Sequence, residues 1–241
     1  MTAAAQFAYV GSELDLFAEV HNWKAYWSGL IQPYIHGDVL EVGAGLGANT
    51  RLLSKQRSES RWVCLEPDSG LSTQTAARLA DLNGVRNYEI VCGTMAAIPD
   101  EPAFDTIIYI DVLEHIEDDA GEMRAAALRL RPNGHIIVLS PAHQWLFTPF
   151  DAAIGHFRRY NKASLRSTTP QGTTLNKLFY VDVVGIAASA TNRLFLQQSL
   201  PQKSQLATWD RWMIPVSRVV DPLIGRTLGK SIIGVWRKQG S

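Results

Sequence analysis

Val39-Leu-Glu-Val-Gly-Ala-Gly-Leu-Gly47 is the stretch on which the fold turns. An apolar strand runs into glycines at 43, 45 and 47, and a helical segment follows from Asn49 to Gln56. Glycines permit a tight turn and a close approach of backbone to ligand. The helix start adds unpaired N–H groups, so the turn can hold a ligand by backbone alone.

Working outward, the same alternation recurs. Apolar strands are predicted at Asp38–Gly43, Arg61–Glu66, Asn87–Cys92, Phe104–Asp111 and Gly134–Ser140, with helices at Asn49–Gln56, Leu71–Leu82 and Asp118–Leu130. Strand and helix in turn argue for a parallel sheet covered on both faces, and near-continuous apolar strands support it. Glu13–Val20 and Trp23–Ile35 read as helices that precede the sheet. Beyond Ser140 the pattern breaks into a lid-like segment over 141–176. Leu178–Ile186 and Ser231–Trp236 are candidate sixth and seventh strands, the last hairpin-paired or inserted antiparallel, and 191–227 is helical in part. The expected fold class is α/β: a Rossmann-like, mostly parallel seven-stranded sheet with helices on both faces, N-terminal helices and a lid-like insertion. One domain spans 1–241, with a helical cap over 1–36, a cofactor-binding core over 37–140, and the lid and sheet completion over 141–241.

The bulk properties agree. The 241 residues are 46% hydrophobic and 19% charged, enough for one sizeable core. Twenty-three basic residues balance 23 acidic ones, which gives no electrostatic case for a nucleic-acid partner. Cys64 and Cys92 lie in apolar runs without metal-ligand spacing and read as buried thiols in a reducing compartment. The N-terminus has no secretory pattern, and no apolar run reaches the roughly 20 residues of a membrane helix. The expectation is a cytoplasmic protein with no transmembrane segment.

The glycine turn does not name its ligand, because Gly43-Ala-Gly-Leu-Gly-Ala48 also fits a dinucleotide pattern. Glu41 would repel a pyrophosphate if it aimed into the loop, yet attract an ammonium group. S-adenosylmethionine carries an amino-acid end and no phosphate. Glu66 closes the second strand, where a carboxylate can accept from both ribose hydroxyls of either cofactor. Asp111-Val-Leu-Glu-His-Ile116 follows the fourth strand.

Taken in order, the glycine motif, Leu65-Glu-Pro67, Gly93-Thr-Met95, Phe104-Asp-Thr-Ile-Ile108, Asp111-Val-Leu-Glu-His-Ile116 and Leu130-Arg-Pro-Asn-Gly-His-Ile-Ile-Val138 resemble the motifs of class I S-adenosylmethionine-dependent methyltransferases. His156-Phe-Arg-Arg-Tyr160 resembles a Gly-His-Tyr-Arg-Arg-Tyr signature of one bacterial branch. The resemblance implies that Glu41 and the backbone of Gly43, Ala44 and Gly45 hold the methionine part. It implies that Glu66, with Pro67 beside it, holds the ribose. Gly93, Thr94 and Met95 would line the adenine, and Asp111 and Val112 would complete the pocket. Thr94 departs from the Asp of many relatives and could reach the adenine amino group only through its hydroxyl or a water.

Methyl transfer to a hydroxyl profits from a general base. His115 and His143 follow strands on the cofactor side, and His156 lies in the lid-like segment; each is also a candidate for a packing or solvent-facing role. Arg158 and Arg159, beside Tyr160, could clamp a carboxylate or phosphate, or form a basic turn paired with Asp151. Tyr9, Trp23 and Trp27 are candidate pocket aromatics. Leu206–Trp236, with three tryptophans and three arginines, reads either as a packed helix and last strand or as a membrane-surface or partner-binding element. The expected activity is methyl transfer to an oxygen or nitrogen of a small molecule, without a metal. A nicotinamide-dependent oxidoreductase and a non-methylating or scaffold member of the fold are the alternatives.

Overall fold

The computed structural model describes residues 20–56, 60–80, 87–191 and 203–240. Tyr9 and the helix expected at Glu13–Val20 lie outside them, apart from Val20 itself. Seven strands pair in one sheet: β1 (Val39–Val42), β2 (Trp62–Glu66), β3 (Tyr88–Cys92), β4 (Phe104–Ile110), β5 (Leu130–Pro141), β6 (Thr173–Val181) and β7 (Ser231–Lys238). Their order is β3-β2-β1-β4-β5-β7-β6. β1 to β5 are parallel, and β7 runs antiparallel to both of its neighbours. Of the two placements open for the last strand, it takes the inserted one.

Side chains alternate across the sheet, and two apolar layers follow from that period of two. Val39, Cys64, Ile108, Ile137 and Val235 face one layer, which holds Trp23, Tyr26, Trp27 and Ile31 of α1 (His21–Ile31). Leu40, Val63, Ile107, Tyr109 and Ile136 face the other, against Met123, Ala126 and Ala127 of α4 (Asp119–Arg129). Each fully buried side chain of this size contributes roughly 1.5–3 kcal/mol. Between β1 and β2 runs α2 (Ala48–Leu53); α3 (Ser69–Leu79) starts where Asp68 accepts from the Leu71 N–H. Asp118 starts α4 in the same way through Gly121.

The segment after β5 contains α5 (Pro149–Ala153) and α6 (Lys162–Ser167). After β6 come α7 (Val183–Thr191), α8 (Lys203–Thr208), a π turn (Trp209–Met213) and α9 (Ile214–Leu223). The strand expected at Leu178–Ile186 therefore begins earlier and stops at Val181. Asp182 explains the stop: its φ is 67°, and its carboxylate accepts from the Gly185 N–H at 2.9 Å, which starts a helix. A second correction concerns Cys92, which is exposed, whereas Cys64 is buried as expected. The strand-end position of Cys92 on edge strand β3 leaves it uncovered.

Buried acids tie the C-terminal helices to the sheet. Asp182 accepts from Trp209 Nε1 at 2.8 Å and from the Ser217 hydroxyl at 2.7 Å. Asp221 accepts from the Asp182 and Val183 N–H groups and from the Tyr26 hydroxyl. Asp210 accepts from the N–H groups of His21, Asn22 and Trp23, so it caps α1 from a distant part of the chain. Replacing Asp221 with Ala strands three donors in and around the core. We expect Asp221→Ala to lower unfolding free energy by roughly 3–5 kcal/mol in urea titration; a loss below about 1 kcal/mol would mean the site relaxes or hydrates.

Candidate active site

The C-terminal ends of β1, β2 and β4 meet where the strand order reverses, the usual ligand position in such sheets. Gly43, Gly45 and Gly47 have φ of 67°, 56° and 73°, a conformation that strains any residue with a Cβ. At Gly43 an added Cβ would also lie 2.5 Å from Val112 Cγ2, so the turn is closed against the β4 loop. The Gly45 N–H donates to Glu66 Oε2 at 2.8 Å, which locks the turn to the end of β2.

Above this edge opens a cavity of about 1330 Å³. A site for one drug-sized ligand is about 300–1,000 Å³, so there is room for two small molecules. Gly43, Ala44, Gly45, Glu66, Pro67, Gly93, Thr94, Met95, Asp111 and Val112 all line it, as do Trp23 and Trp27 of α1. Burial raises the Glu66 pKa, against the opposing pull of its backbone hydrogen bonds.

Glu41 corrects the sequence reading. It is absent from the cavity lining, because strand alternation turns it beneath the glycine turn. There its Oε2 accepts from Thr50 Oγ1 at 2.7 Å and Trp62 Nε1 at 2.8 Å. Burial pushes its pKa up to about 7. It braces the first turn of the motif from below and is not aimed at a ligand, so its charge does not discriminate between the two cofactors.

On the β4 side, Asp111 stands at φ 54° with its side chain accessible from the cavity. The surrounding protein raises its carboxyl to about 6, tempered by His156 and Lys230. Glu114 is fully buried; its Oε2 accepts from the Ser140 hydroxyl, while Oε1 has no hydrogen-bond partner. Burial, then Asp111, pushes Glu114 well above the carboxylate range. His156 Nδ1 lies 3.0 Å from Asp151 Oδ1, and its Nε2 lies 3.9 Å from Glu114 Oε1. Burial alone would raise Asp151, but hydrogen bonds from His156 and Arg159 outweigh it and hold Asp151 well below its ordinary range. His115 packs edge-on against His156 at 4.4 Å; burial and that neighbour lower it to about 4, so it is neutral at pH 7. Ligand-type atoms of Glu114, His115 and His156 fall within 4.8 Å of one another, a set that could hold a divalent cation as well as a proton.

The remaining predicted residues divide. His115, His156 and Arg159 line the cavity; Arg158, Tyr160 and His143 do not. His143 sits at φ 66° with its ring stacked on Tyr180 at 4.7 Å, turned from the cofactor edge by its own backbone. Tyr160 is buried and donates to Asp119 at 2.7 Å. Arg158 pairs with Asp119 at 2.7 Å and bonds the Glu117 carbonyl. Arg159 gives Nε and Nη2 to the two oxygens of Asp151. Both guanidinium groups are thus engaged inside the protein, as the basic-turn reading had it for Arg159.

Lys230 escaped the sequence reading. It lines the cavity, stacks over Trp209 at 4.5 Å, and has its pKa lowered by burial despite Asp182 and Asp111. Only the reversal of β7 brings its first residues to the cofactor edge, and no motif marks that. Asp151 was legible only as an arginine partner, although it also orients His156.

Glu41 yields a stability prediction. Its carboxyl binds a proton more tightly in the folded chain, at about 7, than at its ordinary value of 4.5. Its contribution is therefore complete below the ordinary value and lost as pH rises through the folded one. The shift corresponds to roughly 3 kcal/mol. The Tm of the unsubstituted chain should fall across that interval relative to Glu41→Gln, measured by thermal melts over pH; parallel curves would refute the assignment.

Residues 40–136 match a family described as a methyltransferase domain. A ubiquinone biosynthesis O-methyltransferase of Ralstonia nicotianae is 25% identical over 130 residues, covering 52% of each chain. The enzyme of the same name from Idiomarina loihiensis is 29% identical over 126 residues, half of each chain. The chain thus spans about half the length of the curated relatives it matches. A SAM-dependent methyltransferase structure from Aquifex aeolicus superposes with a TM-score of 0.59 at 12% identity, covering 94% of this chain and 96% of that one. The [4+2]-cyclase SpnF superposes at 0.57 and 14% identity, covering 89% and 80%. The fold is an α/β methyltransferase fold, and residues 40–136 match a methyltransferase domain.

Proposed function

We propose that the chain methylates a hydroxyl group of a small molecule, with His156 as the group that takes the hydroxyl proton. The observation that carries this reading is the His156–Asp151 pair in the cavity that the glycine turn also lines. S-adenosylmethionine supplies an activated methyl group, so the chain's own work is placement, exclusion of water and proton handling. The Gly43–Gly45 backbone and Glu66 form the holding side. Trp23, Trp27 and Trp209 wall the cavity and keep it apolar.

Asp151 fixes which nitrogen of His156 is free. With Nδ1 held at 3.0 Å, Nε2 is left to accept a proton, and the charge on Asp151 stabilises the imidazolium that results. Arg158 and Arg159 are already paired, so Lys230 is the better candidate for a carboxylate or phosphate on the acceptor. The names of the relatives favour oxygen over nitrogen as the methylated atom. The fold likeness to a cyclase keeps a non-methylating reaction as the second reading, since a fold does not fix its chemistry.

His156→Ala should lower kcat by about 10²–10⁴ while calorimetric binding of S-adenosylhomocysteine stays within experimental scatter. Equal kcat in the variant would remove His156 from the reaction. Activity abolished by a chelator and restored by a divalent cation would turn the Glu114–His115–His156 set into a metal site. Glu66→Ala should weaken S-adenosylhomocysteine binding by about tenfold or more without creating affinity for NADH; tight NADH binding by the unsubstituted chain would instead favour an oxidoreductase.

A further inference from the structure

Helix α9 and the π turn before it have two faces of opposite character. Inward, Ile214, Ser217 and Asp221 are buried, and Trp209 and Met213 line the cavity. Outward, Trp212, Val216, Val219 and Leu223 are 64%, 50%, 63% and 79% exposed. Their steps of four, three and four residues place them in one stripe. Ile224 and Leu228 prolong it. Between Arg211 and Ile224 every exposed residue is apolar, proline or arginine.

The charges on this element are sorted by side. Asp210 and Asp221, the only acids between Lys203 and Leu228, are turned inward to accept hydrogen bonds from α1 and from the junction of β6 with α7. Arg226 is drawn over Tyr26 and Phe179. The charges left at the surface are Lys203, Arg211 and Arg218, all positive, with Arg211 resting on the Trp212 ring at 5.2 Å.

We propose that this face docks on an anionic phospholipid surface, with Trp212, Val216, Val219 and Leu223 in the headgroup–acyl boundary and Arg211 and Arg218 against lipid phosphates. An apolar stripe flanked by cations and closed by a tryptophan is the composition of an interfacial helix. A two-fold copy of the chain fits less well, because self-pairing of the stripe would bring these arginines toward their own counterparts. Among the described residues no helix is long and apolar enough to cross a membrane, so the contact is peripheral. The inference stands on the surface alone and does not depend on the methyl-transfer reading.

The test is flotation of the purified full chain with vesicles of phosphatidylcholine, with and without one-third phosphatidylglycerol. Binding to the anionic vesicles alone is expected, with a blue shift of tryptophan emission that Trp212→Ala removes. Val216→Glu with Leu223→Glu, both at exposed positions, should weaken binding by about tenfold or more at unchanged Tm. Arg211→Gln with Arg218→Gln, and raised salt, should weaken it in the same direction. Failure of the unsubstituted chain to bind anionic vesicles would overturn the proposal. So would self-association that the Val216→Glu, Leu223→Glu pair abolishes, if vesicles are not bound.

Discussion

Parallel pairing of β1 with β2 and β4 forces three strand ends to one edge, and the rest of the molecule is arranged around what that edge must hold. β1 leads into Gly43, β2 ends in Glu66, and the loop behind β4 carries Asp111 and Val112. Because β4 and β1 are neighbours at the reversal of strand order, their loops diverge and leave a cleft. The Gly45–Glu66 hydrogen bond then closes the turn onto β2, so the cleft has a fixed floor before any ligand arrives. The roof is built separately, from α1, the segment after β5 and the C-terminal helices.

Buried acids are the means by which these separate pieces are joined. Asp210 caps a helix that begins nearly 190 residues earlier in the chain. Asp182 ends a strand, begins a helix and accepts from Trp209, whose ring then walls the cavity. Asp151 orders the segment after β5 by accepting from Thr148, His156 and Arg159. In each case a carboxylate answers several donors at once, which offsets the cost of removing it from water. Glu114 lacks such company, and the unpartnered oxygen it presents to His156 sets the cluster apart from the structural acids.

The sheet was legible because its strands are short, apolar and punctuated by glycine, and because a buried parallel strand leaves that mark in composition. The glycine turn was legible for the same reason: Gly43, Gly45 and Gly47 hold a backbone geometry that only certain side chains allow. Glu41 misled because distance along the chain says little about facing; strand alternation sent it below the turn. His143 misled through a left-handed backbone that no composition rule announces. Asp182 ended a strand within an apolar run, where periodicity alone saw continuity. Lys230 could not be read at all, since its place depends on a strand inserted between two others from the far end of the sequence.

That insertion has a consequence for how the molecule assembles. Among the described residues β6 has no neighbour in the sheet except β7, and β5 is completed only by it. Until the last strand arrives, one edge of β5 and both edges of β6 present unpaired backbone, an invitation to the wrong partner. Closing the sheet requires contacts between segments about a hundred residues apart in sequence, the kind of late, non-local step that slows folding. The half that holds the glycine turn needs none of these pairings. The outer wall of the sheet therefore hangs on pairings of β7 with β5 and β6 that the strands bearing the glycine turn do not share.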